Sequence, residues 1–298
     1  MILDPDVCRS LLFVPAGSER YLSSALRGTT DVIQIDLEDS VPPDQKAEAR
    51  SGVSAAIDRI HEAGRVGVVR INNDPTLLSA DLEAVVGPQL AGITLPKVSC
   101  GKDLQELDEA ITRFEQQRQL PVGRIRLVAQ IESAAGVLNS REIASATPRL
   151  AAMGIGMEDL AVQLGCSVNP DALYFPNMLV LYAAREAGVT PLGYLGSITV
   201  YNDAVTFGEW IRRAKSLGFA GGFCIHPNQV EILNTGFAPS IHEVQEAKSL
   251  IEEFQSRPDQ SSGVFSYKGR MVDRPVVERA RRTLQQHEAI ESRRDGRC

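Results

Sequence analysis

No Cys-x-x-Cys pair occurs in this chain, and its five cysteines, Cys8, Cys100, Cys166, Cys224 and Cys298, are odd in number and scattered. A disulfide framework and a thiolate zinc site are therefore poor readings, and a reducing, cytoplasmic setting fits best. No apolar run is long enough to span a bilayer. The N-terminus carries Asp4 and Asp6 ahead of a very short apolar run, which is not the pattern of a signal peptide. Basic residues are not in excess: Lys and Arg number 31 against 38 Asp and Glu, a net charge of -7. That balance argues against a nucleic-acid partner, which would need a basic face. A small anionic substrate needs only a local basic pocket and stays compatible. No GxGxxG opens the first strand–helix unit, which counts against a doubly wound dinucleotide fold. Neither low-complexity segments nor repeats beyond a strand–helix alternation are present.

What the chain does have is a recurring apolar run. Eight of them occur: Leu11–Pro15, Asp31–Leu37, Val66–Val69, Ala91–Pro96, Leu127–Ile131, Leu150–Ile155, a weaker Pro191–Leu195, and Gly222–Ile225. Continuous rather than alternating apolar runs mark strands covered on both faces. Amphipathic stretches fill the gaps, among them Lys46 to Ala63, Leu104 to Gln117, Met178 to Ala187 and Ala204 to Leu217. Eight strands alternating with helices in this length predict an α/β fold, a (β/α)8 barrel of the TIM type. The barrel is expected over residues 1–255. Ser256 to Gly263 is polar, contains Pro258 and reads as a linker. A charged helix from Val276 to about His287 follows, so 256–298 is expected to be a linker and C-terminal lid helix that caps the barrel or packs on a neighbouring subunit.

Barrels of this kind place their chemistry at the C-terminal ends of the strands. Here those ends carry Asp36-Leu37-Glu38-Asp39, then Arg70, Lys97, Glu132, Asp159 and His226. Two of the runs stop at an acid, Glu132 and, just beyond the sixth, Asp159. Two acids from adjacent strand ends suit one hard cation such as Mg2+, which takes oxygen ligands and keeps open positions. The plain alternative is a pair of acids at helix N-termini with no metal. Arg70 suits a bidentate clamp on a substrate carboxylate, or simply balances Glu38 or Asp39. Lys97 is as well suited to pairing with a neighbouring acid as to touching substrate. His226, ahead of Pro227, fits a hydrogen-bonded structural role better than that of a base. The Asp36, Glu38 and Asp39 cluster is expected to split, some members capping the next helix and at least one facing the pocket.

Taken in order, Arg9-Ser10-Leu11-Leu12-Phe13-Val14-Pro15, Asp36-Leu37-Glu38-Asp39-Ser40-Val41, Val69-Arg70-Ile71-Asn72, Leu95-Pro96-Lys97-Val98, Gln130-Ile131-Glu132-Ser133, Gly156-Met157-Glu158-Asp159-Leu160, Ile225-His226-Pro227 and Gly269-Arg270-Met271-Val272-Asp273-Arg274-Pro275 form a specific set. This set resembles the citrate lyase β-subunit and malyl-CoA lyase family, over nearly the whole chain. The resemblance implies a TIM barrel, usually a homotrimer or hexamer, with Mg2+ and an acyl-CoA thioester substrate. It puts the metal on Glu132 and Asp159 and the substrate-clamping arginine on Arg70. It makes Asp273 a catalytic acid/base residue supplied by a neighbouring subunit. Phe13, Glu38, Lys97, Ile225 and His226 stand at the substrate end of the same motifs. Ser18 and Ser24 occupy places where some relatives carry basic residues for coenzyme A phosphates, and Arg20 and Arg27 are the nearest substitutes.

The expected reaction is reversible carbon–carbon cleavage of a β-hydroxyacyl thioester such as malyl-CoA or citramalyl-CoA, giving acetyl-CoA and a 2-keto acid. Thioester hydrolysis in the same pocket is the second reading. A non-catalytic subunit of a larger lyase complex, working with an acyl-carrier protein, is the third. Asp273 also has a bland role open to it. Pro275 suits a first helical turn, and Asp273 would then be the N-cap of that helix.

Overall fold

The apolar runs become strands because both of their faces find partners. In the computed structural model, which describes residues 3–4, 7–256 and 264–294, eight parallel strands form one sheet. They are β1 (Ser10–Pro15), β2 (Val32–Asp36), β3 (Val66–Arg70), β4 (Gly92–Leu95), β5 (Arg126–Ile131), β6 (Leu150–Ile155), β7 (Thr190–Leu192) and β8 (Gly222–Cys224). The strand order is β7-β6-β5-β4-β3-β2-β1-β8. A parallel bridge between Leu192 and Gly221 joins the two ends. The Gly193 N–H donates to the Gly221 carbonyl at 2.8 Å across that seam. The bridge and this hydrogen bond close the barrel between β7 and β8.

Alternate residues on each strand serve two cores. Leu11, Val32, Val66, Val68, Val128, Leu192 and Phe223 pack together inside the barrel. Leu12, Val14, Ile33, Ile35, Val69, Ile93, Leu127 and Met153 pack outward against the helices. This explains the continuous apolar runs. Inward positions nearer the C-terminal ends are polar instead: Gln34 and Asp36, Arg70, Thr94, and Gln130. The barrel is therefore oily at its base and charged at its mouth.

The helices are α1 (Glu19–Arg27), α2 (Lys46–Ser51), α3 (Val53–Glu62), α4 (Pro75–Val85), α5 (Gly101–Gln117), α6 (Ala134–Leu138), α7 (Ser140–Ala144), α8 (Met157–Leu164), α9 (Pro170–Glu186), α10 (Ala204–Leu217) and α11 (Pro227–Phe237). The single helix expected over Lys46 to Ala63 is broken at Gly52 into α2 and α3. The helix expected from Met178 starts earlier, at Pro170. Asn169 caps it by accepting from the Asp171 and Ala172 N–H groups, and Pro176 is carried inside. No described helix is long and apolar enough to cross a membrane. Cys100, Cys166 and Cys224 are free thiols; Cys298 lies outside the described residues.

The chain divides into two compact units, Met1–Phe237 and Ala238–Cys298. The second contains α12 (Ile241–Gln255), a hairpin of β9 (Val264–Tyr267) and β10 (Arg270–Asp273), and α13 (Arg274–Arg294). Ala247, Leu250, Phe265, Val272, Val277 and Ala280 form its own core. The stretch expected as a turn leading into a helix is instead a turn and a strand. Lys268 and Gly269 both have positive φ, 49° and 75°, the backbone of a tight two-residue hairpin turn. The helix that follows is longer than expected at both ends. The expected linker falls outside the described residues except for Ser256.

Candidate active site

The barrel mouth opens into a cavity of about 620 Å³. Its charged end is built around Arg70, the last residue of β3. The register pairs Arg70 directly with Asp36, the last residue of β2. Arg70 Nε and Nη2 each donate to an Asp36 carboxylate oxygen at 2.7 Å, a bidentate pair. Arg70 Nη1 lies 3.2 Å from Glu38 Oε2 and 3.6 Å from Asp39 Oδ2. The guanidinium rests on the Phe13 ring, 4.5 Å from its centroid. Three carboxylates and one ring thus fix the guanidinium in place where it lines the cavity. Burial works to raise the Asp36 pKa, but the Arg70 hydrogen bond and charge hold it below the usual carboxylate range. Burial works against the Arg70 cation, and Asp36 and Glu38 more than restore it.

The acidic cluster meets its expectation only in part: members face the pocket, but none caps the next helix, whose start has no side-chain cap. Asp36 accepts from the Glu38 and Ser40 N–H groups and so caps its own loop. Asp36 and Asp39 line the cavity. Glu38 is buried and pairs with Lys97, whose backbone sits at φ 54°. Lys97 Nζ is also 3.5 Å from Asp39. Lys97 thus takes the acid-pairing role open to it, and Glu38 bridges the two cations. Burial pushes the Glu38 carboxyl above its ordinary value against the pull of Arg70 and Lys97.

Glu132 differs in kind. It follows β5, is only 4% exposed, and neither carboxylate oxygen has a hydrogen-bond partner. Burial, then the charges of Glu38 and Asp159, push its pKa up to about 8. It packs against Gly156, a cavity-lining residue at the end of β6. A Cβ at position 156 would meet Glu132 Cγ at 2.6 Å, so only glycine fits there. Asp159 lies in the first turn of α8, exposed to the cavity. Among the described residues no group of three or more His, Cys, Asp or Glu side chains is gathered tightly enough to hold a metal by itself. Two carboxylates with open positions are nonetheless the donor set that Mg2+ commonly uses, completed by water and substrate oxygens. A buried carboxylate whose two oxygens lack hydrogen-bond partners is suited to a cation.

The other end of the cavity is aromatic and aliphatic. His226 stacks on Tyr201 with centroids 4.8 Å apart. Its Nδ1 accepts the Asn228 N–H, so that nitrogen is already engaged, as the structural reading expected. Ile225, exposed, lines this end beside it. Asp273 belongs to the second unit, where it ends β10 and accepts the Val276 N–H at 3.3 Å. It therefore does cap α13, whatever else it does. The sequence reading did not pick out Gln130, Glu158 or Tyr201, all of which line the cavity. Gln130 was accessible in principle, because residues two apart on a strand share a face and Glu132 was already placed inward. Glu158, which accepts from Ser197 Oγ, gave no such signal.

Comparison with known proteins agrees with this geometry. Residues 9–227 match the family model described as HpcH/HpaI aldolase/citrate lyase. A citrate lyase subunit beta from Leuconostoc mesenteroides is 34% identical over 279 residues, covering 93% of this chain and 92% of that protein. An L-malyl-CoA/beta-methylmalyl-CoA lyase from Cereibacter sphaeroides is 31% identical over 312 residues, covering 96% of each. The crystal structure of CitE from Mycobacterium tuberculosis, in complex with magnesium, acetoacetate and coenzyme A, superposes with a TM-score of 0.72 at 28% identity, covering 93% of this chain and 97% of that one. The chain belongs to the HpcH/HpaI aldolase/citrate lyase family of carbon–carbon lyases.

Proposed function

We propose that this protein is a Mg2+-dependent lyase that cleaves, or forms, a carboxylated β-hydroxyacyl-CoA thioester of the malyl-CoA or citramalyl-CoA type. The products of cleavage are acetyl-CoA and a 2-keto acid. The observation that carries the proposal is the pairing of two unlike charged groups at one barrel mouth. On one side stands Arg70, held in place by Asp36 and lining the cavity. On the other stands Glu132, buried with no hydrogen-bond partner for either oxygen. A hydroxy acid joined to a thioester presents a carboxylate and a hydroxyl, which would meet these two sides together.

Glu132 and Asp159 would hold the metal. When bound there, Mg2+ supplies Lewis-acid stabilisation of negative charge on the hydroxy-acid oxygens. Arg70 would bind the carboxylate or the oxygen of the developing thioester enolate. Asp36 and Phe13 keep the guanidinium oriented. In the cleavage direction the hydroxyl loses its proton as the carbon–carbon bond breaks, and the electron pair moves to the thioester enolate. The enolate carbon then takes up a proton to become the acetyl group. Asp273 of a neighbouring copy, in a homotrimer or hexamer, would accept the hydroxyl proton and return it to the enolate carbon. The aromatic end around Tyr201, His226 and Ile225 would receive the thioester. The first relatives are named for citrate lyase and malyl-CoA lyase, and the CitE neighbour binds magnesium, acetoacetate and coenzyme A; these names support the substrate class.

The test is product analysis with malyl-CoA and citramalyl-CoA. Acetyl-CoA with glyoxylate or pyruvate is expected, and chelation by EDTA should abolish it. Free coenzyme A without acetyl-CoA would instead establish hydrolysis, and full turnover in EDTA would refute the metal's role.

A further inference from the structure

We infer that Gln229 is a positioning residue that sets the thioester end of the cavity, independently of the charged end. The inference rests on the thioester reading proposed above. Gln229 is buried, 1% exposed, and touches no substrate-facing space itself. Its amide is nevertheless fully used. Oε1 accepts the Ile225 N–H at 3.0 Å and the His226 N–H at 3.1 Å. Nε2 donates to the Ile198 carbonyl at 2.8 Å and to the Val200 carbonyl at 3.3 Å. One side chain thus ties the turn after β8 to the loop after β7.

Both tied segments form the apolar wall. Ile198, Tyr201, Ile225 and His226 line the cavity, and the Tyr201–His226 stack spans the join. None of the four bonds reaches Arg70, Asp36, Glu132 or Asp159.

The local half of the arrangement is a helix cap. His226 is the N-cap of α11, its Nδ1 accepting from Asn228, and Pro227 holds the first helical position. Gln229, three residues after the cap, reaches back to the cap's own N–H, the return half of a capping box. A glutamate serves equally well in that half. The long-range half needs an N–H donor, which only the amide has. Gln229→Glu therefore keeps the cap and sets a carboxylate oxygen against the Ile198 and Val200 carbonyls, releasing that loop alone.

The experiment is isothermal titration of acetyl-CoA, and separately of pyruvate with Mg2+, into wild-type, Gln229→Glu and Tyr201→Ala proteins. Tyr201 is partly exposed, so its truncation leaves the barrel core intact. In both variants the dissociation constant for acetyl-CoA is expected to rise at least about tenfold, while that for pyruvate with Mg2+ stays within about twofold. Thioester affinity unchanged in a folded Gln229→Glu protein overturns the inference. So does equal weakening of both ligands, the mark of a general structural role. Wild-type protein that fails to bind acetyl-CoA overturns the thioester reading, and this inference with it. Wild-type binding that neither substitution disturbs overturns this inference alone.

Discussion

Glu132 makes a measurable claim about stability even before any catalysis is assayed. Its pKa is ordinarily 4.5 and in the folded protein is about 8. Between those values the unfolded chain has lost the proton and the folded metal-free protein still holds it. Stability therefore falls as pH rises through this window, by about 1.4 kcal/mol per pH unit. It is undiminished below about pH 4.5 and is lost progressively toward pH 8. At pH 7 the loss from this one group is on the order of 3 kcal/mol, which for a unit of this size is roughly 6–12 °C in melting temperature. Glu132→Gln replaces the carboxyl with a neutral group of the same shape and removes the dependence.

The assay is thermal melting of metal-free wild-type and Glu132→Gln proteins from pH 5 to pH 8. The two should coincide near pH 5 and diverge upward in pH, the variant becoming the more stable. Groups that do not interact with Glu132 are common to both proteins and cancel in the difference. Adding Mg2+ at about a hundred times its dissociation constant should restore about 2.7 kcal/mol to the wild type and nothing to the variant. Parallel melting curves across the whole range would refute the reasoning, because they would mean that Glu132 is not a confined, uncompensated acid.

Three further outcomes follow from the same geometry. Arg70→Lys keeps the charge but loses the planar fork, and kcat/KM should fall by on the order of 2–4 kcal/mol in transition-state stabilisation; steady-state kinetics showing less than about a twofold change would remove Arg70 from the reaction. Gly156→Ala drives a methyl group into the Glu132 side chain, so calorimetric Mg2+ affinity should drop at least about tenfold in a folded protein, and unaltered affinity would show that Glu132 is not a ligand. Asp273→Asn keeps the cap of α13, since Asn caps as well as Asp, so melting temperature should hold while turnover slows at least about a hundredfold; normal turnover would leave Asp273 as a cap and nothing more.

The barrel was readable from sequence because strands buried on both faces cannot hide. Their apolar runs had no competing periodicity, and β6 and α10 begin and end where the runs do. Shorter strands were blurred: β7 spans three residues, and its predicted run continued into the Tyr194-Leu195 segment beyond it. The hairpin of β9 and β10 went unread because its turn is signalled only by Lys268-Gly269 and each strand is four residues long. The site was legible to the extent that charge interrupts apolar sequence. Arg70, Glu132 and the Asp36 cluster stand out for that reason. What the sequence could not give is which charges neutralise each other, since that depends on strand register: Asp36 pairs with Arg70 because β2 and β3 end level. Gln229 was invisible for a related reason. An amide two residues past a His-Pro turn reads as a helix cap, and its second pair of hydrogen bonds spans about thirty residues of chain.

The distribution of charge around the mouth explains why one face of it wants a cation and the other an anion, although both are rich in acids. Asp36, Glu38 and Asp39 face Arg70 and Lys97, three acids against two bases, with Asp39 the most exposed of the five. That cluster is close to neutral, and its role is to hold the Arg70 fork rather than to attract metal. Across the cavity Glu132 and Asp159 enter no ion pair among the described residues, and burial, then the charges of Glu38 and Asp159, raise the cost of ionising Glu132. A buried acid facing like charges is costly to ionise. A divalent cation offsets those two charges, so a carboxylate arriving beside Arg70 meets less repulsion from the mouth. The order of events that follows is metal first, keto or hydroxy acid second. Mg2+ should accordingly tighten pyruvate binding, and by linkage pyruvate should tighten Mg2+ binding by the same factor; independent binding of the two in calorimetric titrations would show that the acids at Glu132 and Asp159 do not work on the substrate through a shared site.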